Sequence, residues 1–340
     1  MKLKNALLAC ALALIAGLSP TAMPAVAQEK TKVVFSLDFI PLGRHAPWYV
    51  ALANGYYEEE GLDVTIIPSQ GSAAVIQAVE SGTAQIGFVD VPGLTLARAA
   101  GSKIKMVAVN YQKAPYAIFS LDTGANVTEA SQLEGLMLGS GAGSFTPKVI
   151  RGFMAQNGLD PDKLEITNVA PPARASMLLT KQVPSIEFFV MAKPGLEAGA
   201  KKADAELRTY LLGDHGLELY SNGIATTEAY LAENPDVVKG FVRAALKGWK
   251  FALDNPEKAA ELQMKYVEGL KPEVIAAEIG VVRGLAVTPD TEANGLGWVS
   301  EEKMQKSIDF VAEYVGVNGD VPGVADIYAS GFLPEEPVKP

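Results

Sequence analysis

Cysteine is nearly absent from this chain of 340 residues: Cys10 is the only one. It lies in an amino-terminal stretch with the pattern of an export leader, so the remainder can form no disulfide, no cysteine metal site and no thiol nucleophile. Histidine is almost as scarce. His45 and His215 are the two present, and two isolated imidazoles without matching carboxylate spacing do not make a metal centre. No metal and no cofactor are expected. Positive charge is also in deficit, with 29 Lys and Arg against 39 Asp and Glu and a formal charge of −10. That balance argues against a nucleic-acid partner or an anionic membrane surface.

The leader is residues 1–27. Lys2 and Lys4 give its basic start, residues 6–18 an apolar core too short to be a good spanning helix, and Ala25-Val26-Ala27 an A-x-A cleavage site. The mature chain is expected to begin at Gln28, carry a charge of −12 and reach the periplasm as a soluble protein. Leu7-Leu8-Ala9-Cys10 resembles a lipoprotein box, but cutting there would leave almost no apolar core before the site and leave residues 11–18 after it. Hydrophobic and charged fractions of 49% and 20% are those of a globular protein, long enough for two domains with proper cores.

Residues 33–91 organise the rest. Short apolar runs at 33–37, 64–67 and 86–89 alternate with helix-period segments, the pattern of parallel βαβ units. Each run exits into residues able to hold a ligand: Asp38-Phe39, then Ser69-Gln70-Gly71-Ser72, then Asp90. In an open α/β sheet, small molecules sit at the carboxyl ends of the strands. The plan repeats about 100 residues on. Residues 78–88 and 178–188 each read as helix end, polar turn, buried strand and polar or aromatic exit, which suggests two similar lobes. Strands are expected at 104–109, 136–138, 164–169 and 186–190, with 207–212 and 217–225 extended. Beyond residue 226 the chain reads as helical. Pro235, Pro256 and Pro272 open three helices, the first two with an Asn cap at Asn234 and Asn255. A last helix from about Ser300 has Met304, Ile308, Val311 and Val315 as its buried stripe.

Three carboxylates, Asp38, Asp90 and Glu187, fall at strand exits, while nearby cations are few (Arg44, Lys113, Arg174). An acidic cleft lined by Phe39, Trp48, Tyr49, Tyr111, Phe145, Phe188 and Phe189 suits a flat ring bearing amino groups. Aromatics stack on its faces and a carboxylate accepts from its N–H. Individually, Trp48 and Phe189 read better as core. The loop at residues 139–144, with Ser140, Gly143 and Ser144 followed by Phe145, lies between a strand and a helix where backbone N–H groups can bind. It is neither a Walker loop nor a dinucleotide fingerprint. His215, beside Gly213-Asp214, reads as a turn residue.

The stretch LDFIPLGRHAPWYVALANGYYEEEGLDVTI, residues 37–66, resembles the opening of periplasmic binding proteins for thiamine-pyrimidine precursors of the hydroxymethylpyrimidine type, and more distantly of sulfonate-, taurine- and nitrate-binding proteins. The resemblance is specific over residues 33–110 and traceable to about residue 333. It implies an α/β, two-lobed periplasmic binding protein fold of type II: a βαβ sheet flanked by helices in each lobe, a hinge between them, and a helical carboxy-terminal segment packed mainly on lobe 1. Lobe 1 is expected at 28–115 and 216–333, lobe 2 at 116–215, and a loose tail at 334–340. The resemblance also tips the glycine-rich loop toward ligand binding and gives His45 a ligand hydrogen bond.

Its loop departs from the family's at Phe39 and residues 40–44, and Arg44 there would instead suit an anionic solute. The second copy departs at Lys181 and Val183-Pro184-Ser185, where the family carries Gly and Asp. The implied role is a monomeric solute receptor handing a small nitrogen heterocycle to the permease of an ABC importer, with an aromatic carboxylate or sulfonate as the alternative. An intracellular relative that makes the pyrimidine is implied to use a cysteine-rich stretch and a reactive His, which disfavours that enzyme chemistry here. A partner of a membrane signalling receptor is the third possibility. The expected ligand set is Asp38, Phe39, Arg44, His45, Tyr49, Ser69, Gln70, Gly71, Ser72, Asp90, Tyr111, Ser140, Gly143, Ser144, Phe145, Glu187 and Phe188.

Overall fold

The computed structural model describes residues 29–141 and 144–340; the leader and Gly143 lie outside them. Ten strands are described in chain order: β1 (Thr31–Ser36), β2 (Leu62–Ile67), β3 (Ile86–Asp90), β4 (Ile104–Val109), β5 (Tyr116–Leu121), β6 (Met137–Ser140), β7 (Glu165–Asn168), β8 (Ser185–Phe189), β9 (Leu207–Leu211) and β10 (Asn222–Thr227). They form two five-stranded sheets, ordered β2-β1-β3-β10-β4 and β7-β6-β8-β5-β9. In the first, β1 runs parallel to β2 and β3, while β10 is antiparallel to β3 and β4. In the second, β6 runs parallel to β7 and β8, while β5 is antiparallel to β8 and β9. The two sheets therefore share one topology. β5 and β10, the strands that follow a crossing between sheets, take the same antiparallel place in each.

The repeated turns match in detail. After the helix Ser72–Glu80, Gly82 takes φ 75; after the helix Pro171–Leu179, Lys181 takes φ 59. Lys181 thus fills a left-handed position that favours glycine.

The two crossings are hydrogen-bonded to each other. The N–H groups of Asn110 and Tyr111 donate to Asn222 O, and Ser221 N–H donates to Tyr111 O.

The carboxy-terminal helices start where the prolines place them, at Pro235, Pro256 and Pro272. Asn234 and Asn255 make no side-chain cap, however, and Asn255 Nδ2 donates back to Phe251 O instead. The helix Pro235–Asp254 buries Val238, Phe241, Ala245, Leu246 and Trp249 on the first sheet's core, where Trp48 packs against Phe35, Phe88 and Trp249.

Ser300 caps the last long helix, Glu301–Phe310, which continues as a π-turn, Val311–Val315. Met304 and Ile308 belong to the first half's core, whereas Phe310 and Val311 pack among second-half residues such as Val149 and Phe153. This helix ties the two halves together a third time. The tail at 334–340 was expected to be loose, but it lies against the chain. Leu296 N–H donates to Val338 O, and the Lys339 ammonium reaches the carbonyls of Glu292 and Ala293. Among the described residues no helix is long and apolar enough to cross a membrane.

Candidate functional site

The loop after β1 turns at Gly43–His45 into the helix Ala46–Ala53. Gly43 is required there, since a Cβ would come within 2.6 Å of Ile275 Cα. The turn brings Arg44 and His45 back onto Asp38. The Asp38 carboxylate accepts from Arg44 Nη2 at 2.9 Å, His45 Nε2 at 2.9 Å and Asn222 Nδ2 at 3.1 Å. Leu42 N–H donates to His45 Nδ1 at 3.0 Å, so the proton of this neutral imidazole sits on Nε2, facing Asp38. Burial, with the Arg44 charge adding to it, pushes His45 down to about 4. Burial alone would raise the Asp38 carboxyl, but the Arg44 charge and the His45 bond outweigh it and hold it below the usual range.

Arg44 is held on three sides. Nη1 donates to Tyr111 Oη at 3.4 Å and its backbone N–H to Glu278 Oε2 at 3.0 Å, while burial pushes Glu278 up to about 7.

Gly71, at φ 135 and ψ 163, starts the next helix in a conformation open to glycine. Ser72 makes no side-chain cap; its Oγ accepts from Asp90 N–H at 3.1 Å, fastening the helix start to β3. Asp90 Oδ1 accepts from Tyr116 Oη at 2.6 Å and Ser221 Oγ at 3.1 Å. Tyr116 opens β5 of the other sheet, so this carboxyl joins the halves at the floor of the cleft. Burial, aided by the Asp38 charge, pushes it up to about 7.

In the second half, Glu187 Oε1 collects Ser140 Oγ at 2.8 Å, Ser144 Oγ at 2.7 Å and Arg174 Nη1 at 2.8 Å. The same Nη1 also donates to Glu187 O at 3.0 Å. Arg174 Nε and Nη2 are buried with no hydrogen-bond partner among the described residues. The halves then exchange arginines. The Arg44 guanidinium carbon stands 5.1 Å from the centroid of Phe189, and that of Arg174 stands 5.6 Å from Phe39 and 5.0 Å from Phe188. Phe39 and Phe188 meet edge to face at 5.9 Å.

Between them lies a cavity of about 50 Å³, counted as space open to the centre of a water molecule. Asp38, Phe39, Arg44, Gly71, Ser72 and Asp90 of the first half and Ser144, Phe145, Glu187 and Phe188 of the second all line it. His45, Tyr111 and Ser140 stand one layer behind, bonded to Asp38, Arg44 and Glu187 respectively.

Tyr49 does not reach the cavity, because its helix turns it toward Tyr266, on which it stacks at 6.0 Å. Ser69 and Gln70 precede the helix start and line nothing; Ser69 Oγ bonds Gly71 O at 3.5 Å and Gln70 is exposed. Leu42, Thr146, Arg174, Phe189 and Ala192 line the cavity without having been placed in the ligand set. Thr146 adjoins Phe145 and Arg174 was visible as a nearby cation, but Leu42 and Ala192 carried no sequence signal. Phe189 read as core because it ends an apolar strand. The cleft is also less acidic than its composition suggested: Asp38 and Glu187 each hold an arginine. Lys113 is exposed, outside the wall.

Two mirrored α/β halves with a cavity at their facing strand ends define the periplasmic binding protein fold. The chain belongs to the NMT1/THI5-like family, whose profile, described as "NMT1/THI5 like", matches residues 43–259. It is 28% identical over 271 residues to the riboflavin-binding protein RibY of Chloroflexus aurantiacus, covering 78% of this chain and 74% of that protein. It is 26% identical to the formylaminopyrimidine-binding protein of Halalkalibacterium halodurans, covering 66% and 67%. A 4-amino-5-hydroxymethyl-2-methylpyrimidine phosphate synthase of Legionella pneumophila is 23% identical, covering 70% and 74%. Among solved structures, the alkanesulfonate-binding protein SsuA of Xanthomonas axonopodis pv. citri superposes with a TM-score of 0.70 at 15% identity, covering 90% of this chain and 100% of that one.

Proposed function

We propose that this protein is the extracytoplasmic solute-binding component of an ABC importer, capturing a small nitrogen heterocycle of the aminopyrimidine type between two closing halves. The observation that carries the reading is the shared cavity. Asp38 and Ser72 on one side and Ser144 and Glu187 on the other line one space, so a bound ligand would favour the closed arrangement through contacts with both halves. Four phenyl rings, Phe39, Phe145, Phe188 and Phe189, give that space the faces a flat ring needs. The relatives named for riboflavin and formylaminopyrimidine, both nitrogen heterocycles, support this reading.

The synthase relatives make an enzyme the second reading. Against it, the hydroxyls of Ser140 and Ser144 bond a carboxylate rather than an imidazole. His45 has both ring nitrogens occupied by Leu42 and Asp38, and the Glu187 carboxylate beside the two hydroxyls is itself paired with Arg174, so among the described residues no imidazole base stands beside either hydroxyl.

A thermal-shift panel of 4-amino-5-hydroxymethyl-2-methylpyrimidine, formylaminopyrimidine, riboflavin, taurine, nitrate and benzoate tests the reading. A true ligand at a hundred times its dissociation constant adds about 2.7 kcal/mol of stability. A pyrimidine should shift the transition and be recovered unchanged by mass spectrometry. A response to taurine or nitrate alone, or turnover of the pyrimidine, contradicts the proposal.

A further inference from the structure

We infer that the solute is an uncharged ring carrying a carbonyl oxygen, and that Arg174 is the residue that selects it by donating to that oxygen through Nε and Nη2. This deepens the solute-receptor reading and rests on it. Two features of the cavity carry the inference.

The first is its charge. Both arginines in the wall are already neutralised by a carboxylate of their own half, Arg44 by Asp38 at 2.9 Å and Arg174 by Glu187 at 2.8 Å, and all four side chains are at least 95% buried. A carboxylate or sulfonate entering here would add a negative charge that no free cation in the wall could meet. Desolvating such a charge without a partner is strongly unfavourable. The remaining carboxyl in the wall, Asp90, can be carried uncharged near neutral pH because burial raises it to about 7, so the wall as a whole fits a neutral guest.

The second feature is which donors are left over. Both terminal nitrogens of Arg44 have an acceptor, Nη1 in Tyr111 and Nη2 in Asp38. Arg174 has acceptors for Nη1 alone; Nε and Nη2 have none among the described residues, although the side chain is only 1% exposed. Buried charged donors are almost always satisfied, and a neutral carbonyl oxygen supplies the missing acceptor without disturbing the charge balance. Phe39, the ring over Arg174, belongs to the other half, so parting the halves uncovers the guanidinium for the oxygen to enter. The same ring then closes over the ligand.

Isothermal titration with three compounds separates the possibilities. Cytosine carries the ring amine and the carbonyl, 4-aminopyrimidine keeps the amine but lacks the carbonyl and the ring N–H beside it, and benzoate is a flat anion. Wild-type protein should bind cytosine at least about tenfold more tightly than 4-aminopyrimidine, as a lost partner for a buried donor predicts, and should not bind benzoate. Arg174→Lys should erase that ratio while Asp38 contacts stay intact. Gly141→Ala is a second variant that leaves the arginine in place: its methyl would fall 2.9 Å from Nη2 and displace it, and should lower the ratio several-fold. Equal binding of the two pyrimidines, or binding of benzoate, overturns the inference and leaves the receptor reading standing. Binding of none of the three compounds also overturns the inference, and the receptor reading is then decided by the thermal-shift panel.

Discussion

The two halves build the same device and finish it differently. Each places a carboxylate at a strand exit, holds an arginine with it, and presents that arginine to a phenyl ring of the other half. In the first half the device is the more fully bonded: Asp38 has three donors, and Arg44 is tied through Tyr111 and Glu278 as well. In the second half Arg174 keeps two nitrogens without acceptors, and two of the groups around Glu187 are serine hydroxyls that can re-orient. A saturated network is rigid, and an unsaturated one awaits a partner. The first half therefore reads as the frame that fixes the cleft and the second as the half whose chemistry the ligand completes.

The sharpest way to break this contrast is to remove the carboxylates. Asp38→Ala strands the buried Arg44 together with His45 and should cost about 3–5 kcal/mol in urea-unfolding stability. Replacing the whole pair in the second half, Arg174→Met with Glu187→Leu, removes both charges at once. It should leave stability within about 2 kcal/mol of wild type, because exchanging a buried ion pair for apolar groups is often neutral. Ligand binding should nevertheless vanish in that variant. Equal destabilisation by the two changes would erase the distinction between frame and binding half.

Next in size is a dependence on pH centred on the floor of the cleft. Asp90 is raised from 3.8 to about 7 on folding, so its contribution to stability is full below the lower value and is lost as pH rises through the upper one. Glu278 acts in the same direction. His45 acts oppositely: lowered from 6.5 to about 4, it contributes above 6.5 and loses that contribution as pH falls toward 4. Between about pH 6.5 and 8.5 the His45 contribution is already more than half gained, and Asp90 and Glu278 together outweigh what is left of it, so wild-type stability should fall with rising pH and Asp90→Asn should reduce the fall. A variant as pH-sensitive as wild type would put the titrating group elsewhere. Smaller still, Tyr116→Phe deletes one hydrogen bond between the halves and should cost about 1 kcal/mol by the same unfolding measurement.

The smallest effect compares the repeated turns. Lys181 occupies the left-handed place that Gly82 fills in the first half, so Lys181→Gly should raise stability by up to about 1 kcal/mol, and a loss would mean the turns are not equivalent.

Much of this molecule was legible from residue order because the relevant signals are local. Apolar runs between helix-period segments located the strands, proline marked three helix starts, and the strand-exit residues Asp38, Asp90 and Glu187 did come together. What could not be read depends on partners distant in sequence. Asn234 and Asn255 look like caps until the backbone around them is seen, and Ser72 looks like one until its bond to Asp90 shows otherwise. Tyr49 sits among ligand candidates by sequence position, yet the pitch of its helix aims it at Tyr266. The neutralising pairs were missed for the same reason: nothing local links Arg174 to Glu187, 13 residues on, so the carboxylates were counted without their arginines. Phe189 and Leu42 are apolar residues whose exposure to a cavity is set by how the halves meet.

Hydrogen–deuterium exchange, with and without a compound that raises the unfolding transition, tests most directly the claim that one ligand is held by both halves. Protection should appear together around residues 36–45, 71–72 and 90 of the first half and residues 144–146, 174 and 187–189 of the second. Protection confined to one half, or absent from both sets, would contradict it.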